Sequence, residues 1–398
     1  MKQTINLPTL FDHQQTIVDH PARFKVLACG RRFGKTTIAF ELIADHLLKG
    51  NAVAYFAPTH IMSVELWQQV KSALAPIIGR TSEAQSRIEC INGGIFETWT
   101  ARNETVRGRK YHFVVIDEAA LIPDANLWQA AIRPLLSDYK GHALFASTPR
   151  GRNWFWELYN RGNNPDFPDW GAWQYPTSAN PYLSADEITT ARIELPQRTF
   201  QQEYEAIFLE DSGTVFRDVR AICTAKPLSA PQSDKVYVIG VDWGRDNDFT
   251  AISVLDDTAT QVHLERFNQI SYNLQRDRLK AVVNRFKPHT ILAEANSIGS
   301  VNIDALRADG LPVRAFQTTA SSKPQLIDTL ALAVEQSRIT LLADETLIHE
   351  LTSYQMTRTP SGHWQYSAPH GTHDDTVIAT ALSYWQLKRQ SRTLIDFA

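Results

Sequence analysis

A glycine-rich turn near the start of the chain carries residues that could bind phosphate. Residues 29–36 read CGRRFGKT, with the apolar run FKVLA before them and a helical pattern after them. In such a context, backbone N–H groups at a helix N-terminus hold phosphate, a lysine reaches its outer oxygens and a hydroxyl ligates Mg²⁺. The usual pattern begins with glycine, whereas Cys29 stands in that place here. The turn therefore predicts a phosphate site with an unusual first residue.

The residues expected to contact a nucleotide surround this turn. Lys35 would hold the β and γ phosphates, and Thr36 would place its hydroxyl on Mg²⁺. A glutamine upstream can read an adenine edge because its amide both donates and accepts, and Gln14 is preferred over Gln15. The full set predicted to bind ATP with Mg²⁺ is Gln14, Gly30, Arg31, Arg32, Gly34, Lys35, Thr36, Thr37 and Asp117. It stays open whether the two arginines contact phosphate or a residue that holds the loop inactive.

Acidic and polar residues end two further apolar strands. The strand FVVID ends at Asp117 and Glu118, and such a pair needs a ligand because an unpaired buried charge is costly. Asp117 fits a role in holding Mg²⁺ through water, and Glu118 fits the base that orients an attacking water. The strand ALFAS ends in Ser147 and Thr148, polar groups placed to sense a γ phosphate. Together with the turn, these strands predict a site that hydrolyses ATP.

Carboxylates recur on three elements in the second half of the chain. Asp242 lies in the strand VYVIGVD, Glu294 lies in the strand TILAE, and Asp374 and Asp375 open a long helical pattern. Carboxylates without cysteine ligands suit Mg²⁺ or Mn²⁺, and two such ions can hold the attacking and leaving oxygens of a phosphodiester. All four are predicted metal ligands and catalytic residues of a nuclease. The sequence does not choose between Asp374 and Asp375.

Several side chains near this acidic set receive lesser roles. Asp246 and Asp248 follow in a turn and are expected to face solvent, although one of them could supplement the site. For His373, helix capping is favoured over assistance in proton transfer. Three basic residues near the end of the sequence could touch a phosphate backbone, but a charged tail is the favoured interpretation. They are Lys388, Arg389 and Arg392.

The composition is that of a globular protein with a sizeable core. The 398 residues are 43% hydrophobic and 21% charged, and the formal net charge is −3, which argues neither for nor against nucleic acid as a partner. Three scattered cysteines indicate neither a disulfide framework nor a cysteine zinc site. The first residues, MKQTINLPTLFDHQQ, lack an apolar core of signal-peptide length, and no stretch approaches the roughly 20 apolar residues of a membrane span. An intracellular protein is expected.

The alternation of strands and helices predicts an α/β protein of two domains. Between residue 24 and about 150, short apolar strands separated by helices predict a mostly parallel sheet covered on both faces. A second α/β pattern follows a segment rich in Pro, Ser and Ala. The expected organisation is an ATPase domain over residues 1–220, with a core at 1–152 and an accessory subdomain at 153–220, then a linker at 221–235 and a nuclease domain at 236–398.

These motifs together resemble the large terminase subunit of tailed double-stranded DNA bacteriophages, from the region of Gln14 to the helix after Asp375. In that family the phosphate loop often begins with a small residue and carries an arginine, so Cys29 is expected there. The R-G of TVRGRKYHF also resembles the element that precedes the acidic strand. The resemblance implies a P-loop NTPase domain of the RecA/helicase-like type followed by a ribonuclease-H-like nuclease domain.

The resemblance also implies a function. ATP hydrolysis would drive double-stranded DNA into a procapsid, and the endonuclease would cut concatemeric DNA in the host cell cytoplasm. The implied partners are the DNA, a small terminase subunit, a portal protein and further copies in a ring, often of five, with no membrane. Ser147 and Thr148 would couple hydrolysis to movement. A neighbouring subunit would supply an arginine, for which the candidates are Arg102, Arg107 and Arg109.

Two other functions fit parts of the sequence. A DNA helicase or translocase with an attached nuclease, acting in repair or recombination, would share the first centre. It would need a second motor domain, however, where this chain has carboxylates. A non-catalytic DNA-binding or assembly protein with decayed motifs is disfavoured because Lys35, Glu118 and Asp242 are intact.

Overall fold

The computed structural model divides the chain into two compact units, Met1–Glu210 and Asp211–Ala398. The ranges that the structure describes are residues 5, 7–101, 106, 108–122, 126–210, 212–244, 248–296, 299–358, 364–369 and 371–395. Among these residues, no helix combines the length and the hydrophobicity that spanning a bilayer requires.

The first unit is built on an eight-stranded sheet with the strand order β3-β4-β5-β2-β6-β7-β1-β8. Six neighbouring strands, from β5 to β8 in that order, run parallel, and β3 and β4 pair antiparallel at one edge. The strands are β1 (Phe24–Cys29), β2 (Ala52–Ala57), β3 (Ile78–Ser82), β4 (Arg87–Cys90), β5 (Ile95–Thr100), β6 (Phe113–Asp117), β7 (His142–Ser147) and β8 (Trp170–Tyr175). The predicted mostly parallel sheet is confirmed.

Helices cover this sheet and bury its apolar side chains in two clusters. The α-helices are α1 (Asp12–Asp19), α2 (Lys35–Leu48), α3 (His60–Ala73), α4 (Trp154–Gly162), α5 (Ala185–Glu194) and α6 (Gln197–Glu203). Short 3₁₀ turns lie at Ala75–Ile77, Ala119–Leu121, Arg133–Leu136 and Thr177–Ala179, and a π-helical segment lies at Leu127–Ile132. The central strands β1, β2, β6 and β7 are mostly hydrophobic because both of their faces are buried.

The second unit contains a mixed five-stranded sheet with the order β12-β11-β10-β13-β14 and a small antiparallel sheet with the order β16-β15-β9. Its strands are β9 (Ser212–Thr214), β10 (Tyr237–Asp242), β11 (Thr250–Asp256), β12 (Gln261–Phe267), β13 (Thr290–Glu294), β14 (Val313–Phe316), β15 (Gln355–Arg358) and β16 (Trp364–Ser367). Its helices are α7 (Val219–Ile222), α8 (Tyr272–Phe286), α9 (Gly299–Ala308), α10 (Ser322–Glu335), α11 (Glu345–Ser353) and α12 (Asp375–Ile395). In the five-stranded sheet, β10 is antiparallel to β11 and parallel to β13.

Segments outside the predicted cores also take part in the two units. Strand β8 lies in the predicted accessory region, and it pairs with β1 as the edge strand of the large sheet. The predicted linker, residues 221–235, lies within the second unit. There the backbone N–H of Ala225 donates to Leu341 O at 2.8 Å, and that of Leu228 donates to Val262 O at 2.9 Å.

Candidate functional site

The predicted phosphate loop connects β1 to α2. Gly34 precedes the first residue of α2 with a φ of +94°, and no side chain caps the helix there. This backbone angle favours glycine, and a Cβ there would lie 2.3 Å from Gln14 Nε2, whose side chain would have to move. The uncapped N-terminus of α2 therefore presents backbone N–H groups, which suit phosphate.

Cys29 replaces the expected first glycine without disturbing the loop. Its side chain is completely buried in the core of the first unit, and its carbonyl oxygen accepts a hydrogen bond from Lys35 Nζ at 3.1 Å. Close backbone approach occurs instead at Gly30, where a Cβ would lie 2.6 Å from Tyr204 O and from Thr177 Oγ1. Glycine is therefore required at the second position of the loop, Gly30, and not at the first.

The arginines of the loop are held by the segment that follows β8. Arg31 Nε forms an ion pair with Glu203 Oε2 at 2.7 Å, and this contact raises the pKa of Arg31. Asn180 Nδ2 donates to the carbonyl oxygen of Arg32 at 2.6 Å, and Thr177 Oγ1 donates to that of Arg31 at 2.7 Å. Arg31 therefore pairs with a carboxylate of the same chain, and the predicted role of both arginines toward a nucleotide stays a prediction.

Gln14 braces the loop from the other side. It is 3% exposed, and its Nε2 donates to the carbonyl oxygens of Phe33 at 3.2 Å and Gly34 at 3.4 Å. The predicted contact of Gln14 with adenine stays a prediction. At the start of α2, Thr36 is exposed and Thr37 is half-buried.

The predicted acidic tip and the polar end of β7 meet the loop. Strand β7 lies between β6 and β1, so its end separates Glu118 from Lys35. Ser147 Oγ donates to Glu118 Oε2 at 3.1 Å, and Lys35 Nζ donates to Thr148 Oγ1 at 3.2 Å. Two successive residues of β7 and its following turn therefore connect the candidate base to the candidate phosphate-binding lysine.

The two carboxylates of the tip are held in different ways. Asp117 accepts hydrogen bonds from the hydroxyl of Tyr55 and, at 3.0 Å, from the backbone N–H of Glu118, while burial raises the pKa of Asp117. Glu118 has a φ of +45°, a strained value for a residue with a side chain. Such strain is common where a side chain must be aimed at a reacting group. The sequence prediction did not include Tyr55, which lies inside an apolar strand.

Asp242 and Glu294 of the second candidate site end two adjacent strands. β10 and β13 are parallel neighbours, with Val241 opposite Ala293, so the two carboxylates leave the same edge of the sheet. Asp242 is 8% exposed. Burial, followed by the charges of Glu294 and of the acidic pair at the start of α12, raises the pKa of Asp242 well above its usual range.

Close packing of α12 on β10 places the acidic pair beside these carboxylates. A Cβ on Gly240 would lie 2.0 Å from Ala379 O, so the helix rests directly on the backbone of the strand. Asp374 and Asp375 have different surroundings at the start of this helix. Asp375 is 4% exposed, whereas Asp374 is more accessible and its Oδ2 pairs with Lys323 Nζ at 3.3 Å.

Asp375 belongs to a group of three side chains that could hold a metal ion. Within the described part of the chain, the ligand atoms of Asp248, His373 and Asp375 lie within 4.8 Å of one another. His373 Nδ1 is 3.2 Å from Asp248 Oδ1. Burial, followed by the charges of Asp248 and Glu350, raises the pKa of Asp375 to about 8. A divalent cation would fit this donor set, since it neutralises carboxylates that are otherwise crowded together.

The structure thus gives Asp248 and His373 more central places than the lesser roles expected for them. Asp248 is exposed but contacts His373, which the sequence interpretation favoured as a helix cap. Asp246 lies outside the described residues. Lys388 is half-buried and Arg389 is exposed on α12, and the side chain of Arg392 lies outside the described part.

One of the three arginines considered for action in trans has a partner in its own chain. Arg109 Nη1 lies 3.5 Å from the buried carboxylate of Glu97. Arg102 and Arg107 lie outside the described residues.

Comparison with known families assigns both units. Residues 26–219 match the family model "Terminase large subunit, T4likevirus-type, N-terminal", and residues 239–387 match the model "Terminase RNaseH-like domain". The fold and the two sites define a P-loop NTPase followed by a ribonuclease-H-like domain. The chain belongs to the large terminase family of bacteriophages.

Individual relatives show the extent of the similarity. The large terminase subunit of Thermus virus P23-45 is 33% identical over 316 residues, a match that spans 72% of this chain and 63% of that protein. The chain therefore spans less than two thirds of that relative's length. The large terminase subunit of Escherichia phage T5 is 28% identical over 357 residues, which cover 84% of this chain and 79% of that protein. A solved large terminase from a thermophilic bacteriophage has a TM-score of 0.58 at 13% identity and covers 94% of this chain and 97% of its own, which indicates a shared fold.

Proposed function

We propose that the first unit hydrolyses ATP. Lys35 holds the β and γ phosphates, and Thr36 and Asp117 serve the Mg²⁺ ion, which would offset the charge of the phosphates when bound. Glu118 orients the attacking water, and its carboxylate is kept in place by Ser147. The supporting observation is that two successive residues contact the two groups: Thr148 Oγ1 accepts from Lys35, and Ser147 Oγ donates to Glu118.

We further propose that the second unit is a metal-dependent endonuclease. Asp242, Glu294, Asp374 and Asp375 would hold Mg²⁺ or Mn²⁺, supplemented by Asp248 and His373. Bound ions of this kind supply a polarised water and stabilise the leaving oxygen of a phosphodiester. The carboxylates at the shared edge of β10 and β13 would hold the ions there. Lys323 sets the orientation of Asp374 through their ion pair.

The combined function is packaging of viral DNA. ATP hydrolysis moves double-stranded DNA into a procapsid, and the nuclease cuts concatemeric DNA in the host cytoplasm. The single observation that carries this proposal is that one chain of the terminase family contains both sites. The first is a phosphate loop that contacts the acidic end of a strand, and the second is a group of carboxylates on another sheet. The small terminase subunit, the portal ring and a ring of copies of this chain, with an arginine acting across subunits, are the proposed partners.

A packaging assay tests this function. Procapsids bearing their portal are mixed with the full chain, linear double-stranded DNA and ATP, and DNA that survives added DNase is measured after the procapsids are opened. Protected DNA should require hydrolysable ATP, and a non-hydrolysable analogue is the control. If ATP instead drives strand separation of a duplex with no protection by procapsids, the chain is a helicase with an attached nuclease, and the packaging proposal fails.

The contact between Ser147 and Glu118 gives a specific prediction. Ser147→Ala should lower the ATP turnover number by about 10-fold with little change in nucleotide affinity, because a hydrogen bond to a charged group contributes roughly 1.5–3 kcal/mol and here orients the candidate base. Steady-state release of phosphate and binding of a fluorescent ATP analogue separate the two effects. Ser72→Ala, at an exposed position of α3, should change neither. Loss of affinity with unchanged turnover would contradict this role of Ser147.

A further inference from the structure

Two charged residues outside the proposed ligand set lie beside Asp375: the half-buried Arg266 contacts it, and the buried Glu350 contacts Arg266. Arg266 lies on β12 and Glu350 lies on α11. Arg266 Nη2 is 3.4 Å from Asp375 Oδ2 and 3.2 Å from Glu350 Oε1. Glu350 is 3% exposed and Asp375 is 4% exposed. One guanidinium therefore lies between two carboxylates that are both removed from water.

Glu350 also fixes the first turn of α12. Its Oε2 accepts hydrogen bonds from the backbone N–H of Thr376 at 2.9 Å and from Thr376 Oγ1 at 2.5 Å. An N–H in the first turn of a helix has no partner within the helix, so a carboxylate from another helix supplies one here. Glu350 thus holds the backbone immediately after Asp375, while Arg266 holds the carboxylate of Asp375 itself.

The same arginine contacts the side of the cluster that contains Asp248. The guanidinium carbon of Arg266 lies 3.4 Å from the centroid of the Phe249 ring. That ring makes an edge contact with His373 at 5.0 Å between centroids, and Phe249 directly follows Asp248 in the chain. A planar guanidinium can stack on a ring while its N–H groups point at carboxylates, so Arg266 contacts Asp375 directly and the neighbourhood of Asp248 and His373 through Phe249.

We propose that Arg266 and Glu350 are positioning residues of the metal centre, which hold Asp375 at the distance from Asp248 and His373 that a divalent cation requires. This inference rests on the proposed nuclease function of the second unit. A buried ion pair adds little to stability compared with well-packed apolar residues, so placement of Asp375 accounts better for this arrangement than stability does. Both side chains would act through Asp375 and not as ligands of the cation.

The test measures metal binding directly on the full chain without nucleotide. The probe is Mn²⁺, and free Mn²⁺ is followed by electron paramagnetic resonance. Glu350→Gln keeps the shape and an acceptor for Thr376 but removes the charge that faces Arg266. It should weaken Mn²⁺ binding by about 10-fold to 100-fold, the range typical of groups that orient metal ligands. The matched control is Glu345→Gln on the same helix, whose exposed ion pair with Arg220 lies outside this network and whose loss should leave Mn²⁺ binding unchanged.

A second variant and a second measurement keep the outcome decisive. Arg266→Lys keeps the charge but loses the guanidinium plane that stacks on Phe249, and should also weaken Mn²⁺ binding even if Glu350→Gln fails to fold. Plasmid cleavage by both variants should recover toward the parent rate as Mn²⁺ is raised. A lowered melting temperature with unchanged Mn²⁺ affinity in Arg266→Lys would show a purely structural role and overturn the inference. A parent chain that binds Mn²⁺ but never cuts DNA would overturn the nuclease function while leaving the binding test valid.

Discussion

Replacing Lys35 by alanine is expected to lower ATP hydrolysis by at least about 100-fold, a loss comparable to removal of one group that stabilises a transition state. The buried ammonium of Lys35 donates to Cys29 O, Gly30 O and Thr148 Oγ1. The loop therefore holds the ammonium of Lys35 at the position where phosphate is expected to bind. Phosphate release stimulated by double-stranded DNA is the measurement.

Two comparisons make the Lys35 result specific. Lys49→Ala removes an exposed lysine that follows the same helix and pairs only at the surface with Asp45, and its ATP hydrolysis should match that of the parent chain. Plasmid cleavage with Mn²⁺ should be unchanged in Lys35→Ala, because the carboxylate centre belongs to the other unit. If the Lys35 variant kept more than about a tenth of the parent activity, the loop would not be the hydrolysis site.

The second large effect is expected for Asp242→Asn, which should lower plasmid cleavage by at least about 100-fold. Loss of a residue that binds the metal directly should have a larger effect than loss of a group that only orients such a residue. Asparagine keeps the size of the side chain and one carbonyl oxygen but removes the charge that attracts the cation. ATP hydrolysis should be retained. Cleavage is measured as conversion of supercoiled plasmid across a Mn²⁺ titration.

The same variant should leave the metal-free chain as stable as the parent or more stable. The folded-state pKa of Asp242 is raised, so ionisation opposes folding once the pH rises above the unfolded pKa of about 3.9. Asparagine removes that cost. The gain in stability would be detected as a higher melting temperature at neutral pH with a chelator present. Asp257→Asn, which alters an exposed ion pair with Lys235, is the control. Undiminished cleavage in Asp242→Asn would refute the assignment of the nuclease centre.

The elements that carry the site residues could be predicted because they are strands buried on both faces. β6 and β10 are apolar up to their final acidic residue, and β1 is apolar except for Lys25, so a polar residue at the end of such a run is conspicuous. The parallel pairing of β10 with β13 brings Asp242 near Glu294, as the order of acidic strands indicated. The residue types and their spacing were sufficient to predict the strands and their order, while the chemical roles of the residues at their ends stay predictions.

The supports of the sites could not be predicted in the same way. Glu350 lies on an amphipathic helix, where a glutamate ordinarily faces solvent, and its burial follows from contacts with α12 and β12. Strand β8 has no regular alternation of apolar and polar residues, yet its pairing with β1 brings Thr177 and Asn180 to the phosphate loop. Such contacts arise from tertiary packing between segments far apart in the chain.

The contact of α12 with Gly240 has a consequence for how the second unit folds. All five strands of its main sheet precede α12 in the chain. During synthesis the residues of the sheet are therefore made before those of the helix that completes the acidic centre. Domains generally fold as units during synthesis, and closing a long loop has an entropic cost. A nascent chain with a finished sheet therefore still lacks Asp374 and Asp375, and local opening of the first turn of α12 removes both from the centre together. Hydrogen exchange at Thr376 would report directly on that opening.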